Sequence, residues 1–256
     1  MRILILGAGK MGSFFADLLS FEHEVAIYDT DQTKLRFIYN TYRFSTKEDI
    51  ATFNPELVLN AVTLKHTISA FKEVIPVLST HCILSDIASV KSDLKEFYIN
   101  QSRPYISTHP MFGPTFATLS NLAQENAIII RGGDLRGECF FKKLYNKLNL
   151  SIFFASFEEH DQAATYALAT PFMATFAFLA ALKTPQAPGT TYKKHEQIAQ
   201  GVMNEDNFLI QEILFNSDSV KQINLIIENM ENLKKIINQK DAKGMATYLN
   251  ALREHL

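Results

Sequence analysis

Two short stretches contain residue types that could accept a proton from a substrate hydroxyl while a hydride leaves the substrate. They are SDIASVK (85–91) and STHPMFGP (107–114). The imidazole of His109 titrates near neutral pH, and the proline that follows restricts its backbone. Such a group suits the general base that takes a hydroxyl proton while a hydride leaves the same carbon. We predict that His109 is this base and that Ser89 assists it. The alternatives are a hydrogen-bonded loop histidine, and a serine that caps a helix beginning near Lys91.

The start of the chain has the pattern of a dinucleotide-binding turn. A buried strand, ILIL (3–6), runs into GAGKMG (7–12), and an apolar helical run follows. In this context the first glycine allows a tight turn, the second lets the backbone approach a pyrophosphate, and the third lets helix and strand pack closely. The N-terminus of the helix offers its N–H groups to the same phosphates. The predicted cofactor contacts are Gly7, Ala8, Gly9, Lys10, Met11 and Gly12.

An acidic residue ends the second predicted strand, EVAIY (24–28). Asp29 stands where a Rossmann unit places the carboxylate that binds the ribose hydroxyls of the cofactor, and its charge favours NAD over NADP. The alternative is that Asp29, with Thr30 and Asp31, caps the next helix. Val62 and Thr63, at the end of a later strand, complete the predicted NAD contacts.

Short apolar strands alternate with helical segments through the first part of the chain. The predicted strands continue at 57–62, 82–86, 105–107, 127–131 and, as an edge strand, 151–154, and helices are predicted at 71–78 and from Lys91. This alternation predicts an α/β Rossmann fold with a doubly wound, mostly parallel sheet and helices on both faces. Ligands of such sheets lie beyond the carboxyl ends of the strands, where the chemically interesting residues fall.

The pattern becomes helical from about residue 157. Helices are predicted at 158–182, 192–216, 219–239 and 241–255, with a linker at 183–191 that contains proline and glycine. We therefore predict an NAD-binding domain at 1–155 and an all-α domain for substrate binding and dimerisation at 156–256. One helix face carries an apolar stripe at three- and four-residue spacing. The stripe consists of Ile223, Ile226, Ile227, Met230, Leu233 and Ile237.

Composition excludes several classes of protein. Of 256 residues, 47% are hydrophobic, as in a globular protein. The net charge is −2, so the chain lacks the excess of basic residues that is typical of nucleic-acid-binding proteins. Cys82 and Cys139 are interpreted as buried free thiols of a reducing compartment, with no metal site. No signal peptide is recognised, which predicts a cytoplasmic protein.

One uncharged segment, 162–182, is about 20 residues long, roughly the length of a membrane span. It contains Pro171 and several small residues, and no marked basic cluster flanks it. We predict no membrane association, and a helix that is buried within the helical domain or in a dimer interface.

Taken together, GAGKMG, SDIASVK, STHPMFGP and then EEHDQAATYAL (158–168) resemble the motifs of the prephenate dehydrogenase family of tyrosine biosynthesis. The resemblance extends over essentially the whole chain, and HPMFGP after DxxSVK is its most specific part. It implies a homodimer formed by the helical domain and NAD-dependent oxidative decarboxylation of prephenate to 4-hydroxyphenylpyruvate. His109 matches the catalytic histidine of the family and Ser89 its substrate-binding serine. His160 matches a histidine that the family keeps beside the active site and is a candidate substrate ligand, and the alternative for it is a helix N-terminal residue without a ligand.

The chain departs from the family in its helical half. Where the family usually supplies an arginine for a substrate carboxylate, this chain has YKKHE (192–196), and Lys193 is the candidate substrate ligand. Lysine offers a point charge rather than a bidentate fork, so the choice between prephenate and arogenate stays open. The alternative for both lysines, Lys193 and Lys194, is an exposed helix start.

Two other functions compete with this interpretation. A hydroxyacid or ketopantoate-type reductase of similar architecture would use Lys193 or Lys194 as a catalytic lysine. A non-catalytic NAD-binding sensor would keep the fold alone. The sequence shows no chorismate mutase bundle and no βαββαβ regulatory domain, so any inhibition by tyrosine is expected at the active site.

Overall fold

The computed structural model of the chain describes residues 1–91, 93–113, 122–183, 186–215 and 217–255. It divides into two compact units, Met1–Asp161 and Gln162–Leu256. This division falls a few residues after the predicted boundary at 155. The roles predicted for the two domains stay predictions.

The first unit is built on a β-sheet. Its strands are β1 (Arg2–Leu6), β2 (Glu24–Tyr28), β3 (Tyr42–Phe44), β4 (Leu57–Asn60), β5 (Ile83–Asp86), β6 (Tyr105–Pro110), β7 (Asn126–Ile130) and β8 (Ser151–Ala155). Within the described residues they form one sheet in the order β3-β2-β1-β4-β5-β6-β7-β8. All neighbours are parallel except β6 and β7. The order 3-2-1-4-5-6 is that of a Rossmann fold, so the predicted fold class is confirmed.

Helices cover both faces of this sheet. They are α1 (Lys10–Leu19), α2 (Lys47–Phe53), α3 (Thr67–Val74), α4 (Leu94–Asn100) and α5 (Leu135–Lys147), and α6 (Phe157–Ala164) crosses into the second unit. Alternate residues of β1 belong to two separate cores, because successive side chains point to opposite faces. Ile3 and Ile5 pack in one core, and Leu4 and Leu6 pack in the other.

Four local predictions for this unit are corrected. Strand β3 was not predicted, because its exposed YRF segment has little apolar pattern. His109 lies inside β6 rather than after it. The first half of β6 pairs with β5, and the second half, which contains His109, pairs with β7. The helix predicted from Lys91 begins at Leu94, and Asp93 rather than Ser89 occupies its N-cap position. Cys82 is buried as predicted, but Cys139 is exposed because it lies on the outer part of α5.

The second unit is helical. After a π-helical turn at Thr165–Ala169, its helices are α7 (Thr170–Ala180), α8 (Thr190–Met203), α9 (Asn207–Leu214), α10 (Ser217–Gln239) and α11 (Ala242–Arg253). Two helices predicted as continuous are therefore interrupted. The wider turn precedes Pro171, which has no N–H to donate to a regular helix. The predicted helix 192–216 is divided because the Asp206 carboxylate accepts hydrogen bonds from the Phe208 and Leu209 N–H groups and starts α9.

One helical stretch of the described residues, Phe157–Ala180, is long and apolar enough to cross a membrane by length and composition alone. Only 28% of its most apolar window is buried within the chain. A single stretch of this kind is weak evidence for a membrane span, since core helices of soluble proteins have the same character.

Two glycines of the first loop are required by close contacts. A Cβ atom on Gly12 would lie 1.8 Å from the carbonyl oxygen of Gly7, which means that α1 could not approach β1 as it does. Gly7 itself has φ +94° and packs against Val62. At Gly9, in contrast, a Cβ atom would meet nothing within 4 Å.

We expect Gly12→Ala to lower the free energy of unfolding by about 3 kcal/mol, the upper end of the usual range for overpacking, because the backbone must shift to admit the methyl group. Gly9→Ala is the matched control and should cost less than about 1 kcal/mol, since the space is open and only N-cap preference changes. Urea unfolding of the two variants measures both values. Equal losses would contradict the assigned packing.

Candidate active site

A cavity of about 340 Å³ lies at the carboxyl ends of β1, β2 and β4. The strand order reverses between β1 and β4, and such a reversal is where doubly wound sheets bind ligands. We call it the switch-point cavity. Of the predicted cofactor contacts, it is lined by Gly7, Gly9, Asp29, Val62 and Thr63.

The other predicted contacts lie beside this cavity rather than in its wall. Lys10 is exposed at the first residue of α1, Met11 is half-buried, and Gly12 is buried beneath the turn. Ala8 is buried, and its N–H group is used within the protein, because it donates to the Asp29 carboxylate.

Asp29 fixes the glycine loop to the end of β2. Its Oδ2 accepts the Ala8 N–H at 2.7 Å and its Oδ1 accepts the Asp31 N–H at 2.8 Å, while the Lys34 ammonium lies 3.6 Å away. The carboxylate is 8% exposed and belongs to the cavity wall. A 3₁₀ helix, Gln32–Phe37, follows. Its N-cap residue is Asp31, whose side chain accepts the Thr33 N–H. The alternative interpretation, a helix cap made by Asp29, Thr30 and Asp31, is therefore confirmed for Asp31 but not for Asp29.

A buried side-chain amide holds the part of the cavity wall that follows β4. Asn60, at the end of β4, donates from Nδ2 to the Thr67 carbonyl at 2.8 Å and accepts the Val62 N–H at 3.3 Å. This bridge fixes the turn that carries Val62 and Thr63 against the start of α3.

His109 belongs to a hydrogen-bonded chain of three side chains. The Nδ1 atom of His109 lies 2.9 Å from Nε2 of His160, and Nδ1 of His160 lies 2.9 Å from Oδ1 of Asp161. His109 is 6% exposed and its backbone is fixed opposite Ile128 of β7. His160 is completely buried, and its predicted contact with substrate stays a prediction. The structure thus brings together two residues that the sequence analysis had named separately.

The direction of these hydrogen bonds assigns the tautomers. A carboxylate accepts, so Nδ1 of His160 carries the hydrogen and donates to Asp161. In neutral His160 the Nε2 atom is then the acceptor, and Nδ1 of His109 donates to it. Neutral His109 consequently has its lone pair on Nε2, which is the arrangement of a base.

Electrostatics keep this base neutral. Burial, then the neighbouring His160, then the Lys91 ammonium hold the pKa of His109 well below its usual value near 6.5. Burial also lowers the pKa of His160, although the hydrogen bond to Asp161 opposes that shift.

Sequence analysis missed the buried ion pair beneath this chain. Lys91 and Asp86 are both fully buried, with Nζ 2.5 Å from Oδ1. The same ammonium donates to the Thr108 carbonyl at 2.7 Å, and the Tyr98 hydroxyl donates to the second oxygen of Asp86 at 2.8 Å. Burial lowers the pKa of Lys91, and the Asp86 carboxylate opposes that effect.

Lys91 also connects the ion pair to the histidines. Its backbone N–H donates to Oδ1 of Asp161 at 2.9 Å, the oxygen that accepts from His160. Lys91 therefore contacts the carbonyl directly before His109 and the carboxylate that orients its partner. The sequence signal was the lysine of SDIASVK, which was interpreted only as the start of a helix.

Ser89 lies in the turn between the two members of this ion pair and is half-buried. The turn is fixed by the hydrogen bond from the Ala88 N–H to Asp86 at 3.0 Å. The prediction that Ser89 assists His109 stays a prediction.

Lys193 lies in the second unit, exposed in the first turn of α8. Its predicted contact with a substrate carboxylate also stays a prediction. Pro114 of the STHPMFGP motif lies outside the described residues. In the part of the chain that is described, no group of three or more His, Cys, Asp or Glu side chains could hold a metal ion.

A family model and a curated relative both point to the prephenate dehydrogenase family. A family model described as the nucleotide-binding domain of prephenate dehydrogenase matches residues 19–146, half of the chain. A probable arogenate/prephenate dehydrogenase of Methanocaldococcus jannaschii is 24% identical over 277 residues. That alignment covers 98% of this chain, but this chain spans only 60% of the length of the relative.

Solved structures show the same fold. The prephenate dehydrogenase of Aquifex aeolicus, in complex with hydroxyphenyl propionate and NAD+, superposes with a TM-score of 0.82 at 20% identity, covering 100% of this chain and 96% of that one. The arogenate dehydrogenase of Synechocystis superposes with a TM-score of 0.75 at 15% identity, covering 100% and 98%.

We expect Lys91→Met to lower the free energy of unfolding by about 3–5 kcal/mol, because the Asp86 carboxylate would be left buried without its partner. The double variant with Asp86→Asn should recover a substantial part of that loss, since neither charge then remains. Urea unfolding of Lys91→Met, Asp86→Asn and the double variant tests the ion pair. A loss in the double variant equal to the sum of the losses in the two single variants would contradict it.

Proposed function

Because the chain belongs to the prephenate dehydrogenase family, we propose that it catalyses the NAD-dependent oxidative decarboxylation of prephenate to 4-hydroxyphenylpyruvate. The observation that carries this proposal is the Asp161–His160–His109 chain, which leaves a neutral nitrogen base on β6 of a Rossmann sheet. Arogenate is the alternative substrate, because the relatives include enzymes named for either acid.

The switch-point cavity fits a dinucleotide. Gly9 leaves open space above the N-terminus of α1, and the positive end of that helix dipole favours phosphate. The Asp29 carboxylate stands in the cavity wall and would repel a 2′-phosphate, which supports NAD over NADP. The NAD+ in the Aquifex aeolicus complex supports the same choice. When bound, NAD supplies the hydride acceptor.

His109 is the proposed catalytic base. Its Nε2 takes the proton of the substrate C4 hydroxyl, which raises the electron density on the carbon that loses hydride. Loss of CO2 then makes the ring aromatic, so the protein has only to position the groups and accept the proton. The proton that arrives on His109 is stabilised through His160 by the Asp161 carboxylate.

His160 and Lys193 take different roles in this proposal. Both ring nitrogens of His160 are used inside the protein, so we assign it to positioning His109 rather than to direct contact with substrate. Ser89 binds the substrate hydroxyl. Lys193 remains the proposed partner of a substrate carboxylate, and as a point charge it imposes less geometry than an arginine would.

A homodimer is proposed through the second unit. The apolar stripe of α10 is largely uncovered within one chain, with Ile227, Met230 and Ile237 each at least half exposed. Uncovered apolar stripes of this kind are typical of protein interfaces. A mass in solution of about twice 29.0 kDa would agree with this assembly.

The proposed activity predicts NADH formation when the purified protein is mixed with NAD and either prephenate or arogenate. His109→Asn should lower the turnover about 10²–10⁴-fold with little change in NAD affinity, because only the base is removed. The wild-type kcat/KM should rise with pH and level off with a midpoint below about 6.5, since the base must be neutral.

Two outcomes of that experiment would reject the proposal in different ways. Nearly intact hydride transfer in His109→Asn would favour a reductase that uses Lys193 or Lys194. NAD binding without NADH from either acid would favour a sensor.

We expect Asp161→Asn to reduce kcat about 10–100-fold with KM and NAD affinity nearly unchanged, because the tautomer of His160 is no longer fixed. Glu158→Gln is the matched control, since this exposed carboxylate lies on the same helix and pairs with Lys95. A kcat loss shared equally by both variants would show that α6 matters only for stability.

A further inference from the structure

A second cavity, of about 270 Å³, lies at the opposite end of β1 from the switch-point cavity. It is formed by Met1, the end of α1, the turn that follows, and one face of α5. We call it the α1–α5 cavity. Its volume is near the lower end for ligand pockets, roughly 300 Å³, so it suits a molecule with a single ring.

The floor of this cavity is apolar. Leu19 and Leu144 are buried, and the Phe140 ring stands beside them with an edge contact to Phe141. An apolar floor with a polar rim is the general design of small-molecule sites.

The rim is cationic. Arg136, Lys143 and Lys147 occur on one face of α5 at spacings of seven and four residues. Two of these cations are already paired, Lys147 with Glu22 of the wall at 2.7 Å and Arg136 with Asp134 at 3.2 Å. Lys143 is exposed and has no ion pair within the described part of the chain, so its ammonium can pair with a bound anion.

A buried polar atom in the same wall also lacks a partner. Nδ1 of His23 is buried and makes no hydrogen bond among the described residues, and its ring packs on Phe140 at 5.6 Å. Buried polar atoms usually have a partner in protein, water or ligand.

We propose that the α1–α5 cavity is a second ligand site that binds a small aryl carboxylate, with the ring on Leu19, Leu144 and Phe140 and the carboxylate at Lys143. The site is separate from the proposed reaction, since it is at the other end of the sheet strand that leads to the glycine loop. Cys139, exposed in its wall, reports on occupancy.

The probe is 3-phenylpropionate, and the measured quantity is the rate at which N-ethylmaleimide alkylates Cys139. Cys82 should not interfere, because it is buried and burial raises the pKa of its thiol to about 12. At ten times its Kd, the acid should slow the alkylation about tenfold by mass action. The neutral analogue 3-phenylpropanol should give little protection.

Matched variants separate this site from others. Lys143→Gln should abolish the protection. Lys142→Gln should not, since that lysine faces Glu138 and the Phe154 ring instead of the cavity. His109→Asn should also leave the protection intact. Equal protection by the alcohol, protection that survives Lys143→Gln, loss of protection in His109→Asn, or no protection at all would each overturn the proposal.

Discussion

A lysine and an aspartate without access to water must neutralise each other, and the organisation of the site depends on that constraint. Lys91 and Asp86 join the ends of β5 and β6 below the surface of the sheet. Because the Lys91 backbone also contacts Asp161, the ion pair fixes α6 relative to the strand that carries His109. Lys91 thereby positions the proposed base in two ways, through its ammonium on the Thr108 carbonyl and through its backbone N–H on Asp161.

The same positive charge helps to set the protonation of that base. A buried imidazole beside an ammonium resists a second proton, so His109 stays neutral where an exposed histidine would be partly charged. Asp29 organises the cofactor side in a comparable way, because its carboxylate holds the N–H of the glycine loop. In both places a carboxylate anchors the backbone, since Asp29 accepts the Ala8 N–H and Asp161 accepts the Lys91 N–H.

Patterns that are local in sequence predicted the glycine loop, the Rossmann strands and the helical second half, because turn chemistry and apolar periodicity act over a few residues. Contacts between distant segments could not be predicted in that way. Lys91 was predicted only as the start of a helix, because its buried contacts depend on how β5, β6 and α6 meet. His109 was placed after a strand because the antiparallel pairing with β7 has no signal in its own segment.

The tautomer of His109 tests the central claim most directly. In protein labelled with ¹⁵N-histidine, long-range ¹H–¹⁵N spectra, assigned by comparison with His109→Asn, distinguish the protonated ring nitrogen from the free one. The Asp161–His160–His109 chain predicts a protonated Nδ1 and a free Nε2 in His109 at neutral pH. A protonated Nε2 with a free Nδ1 would contradict the account, because the nitrogen proposed as the base would already carry a hydrogen.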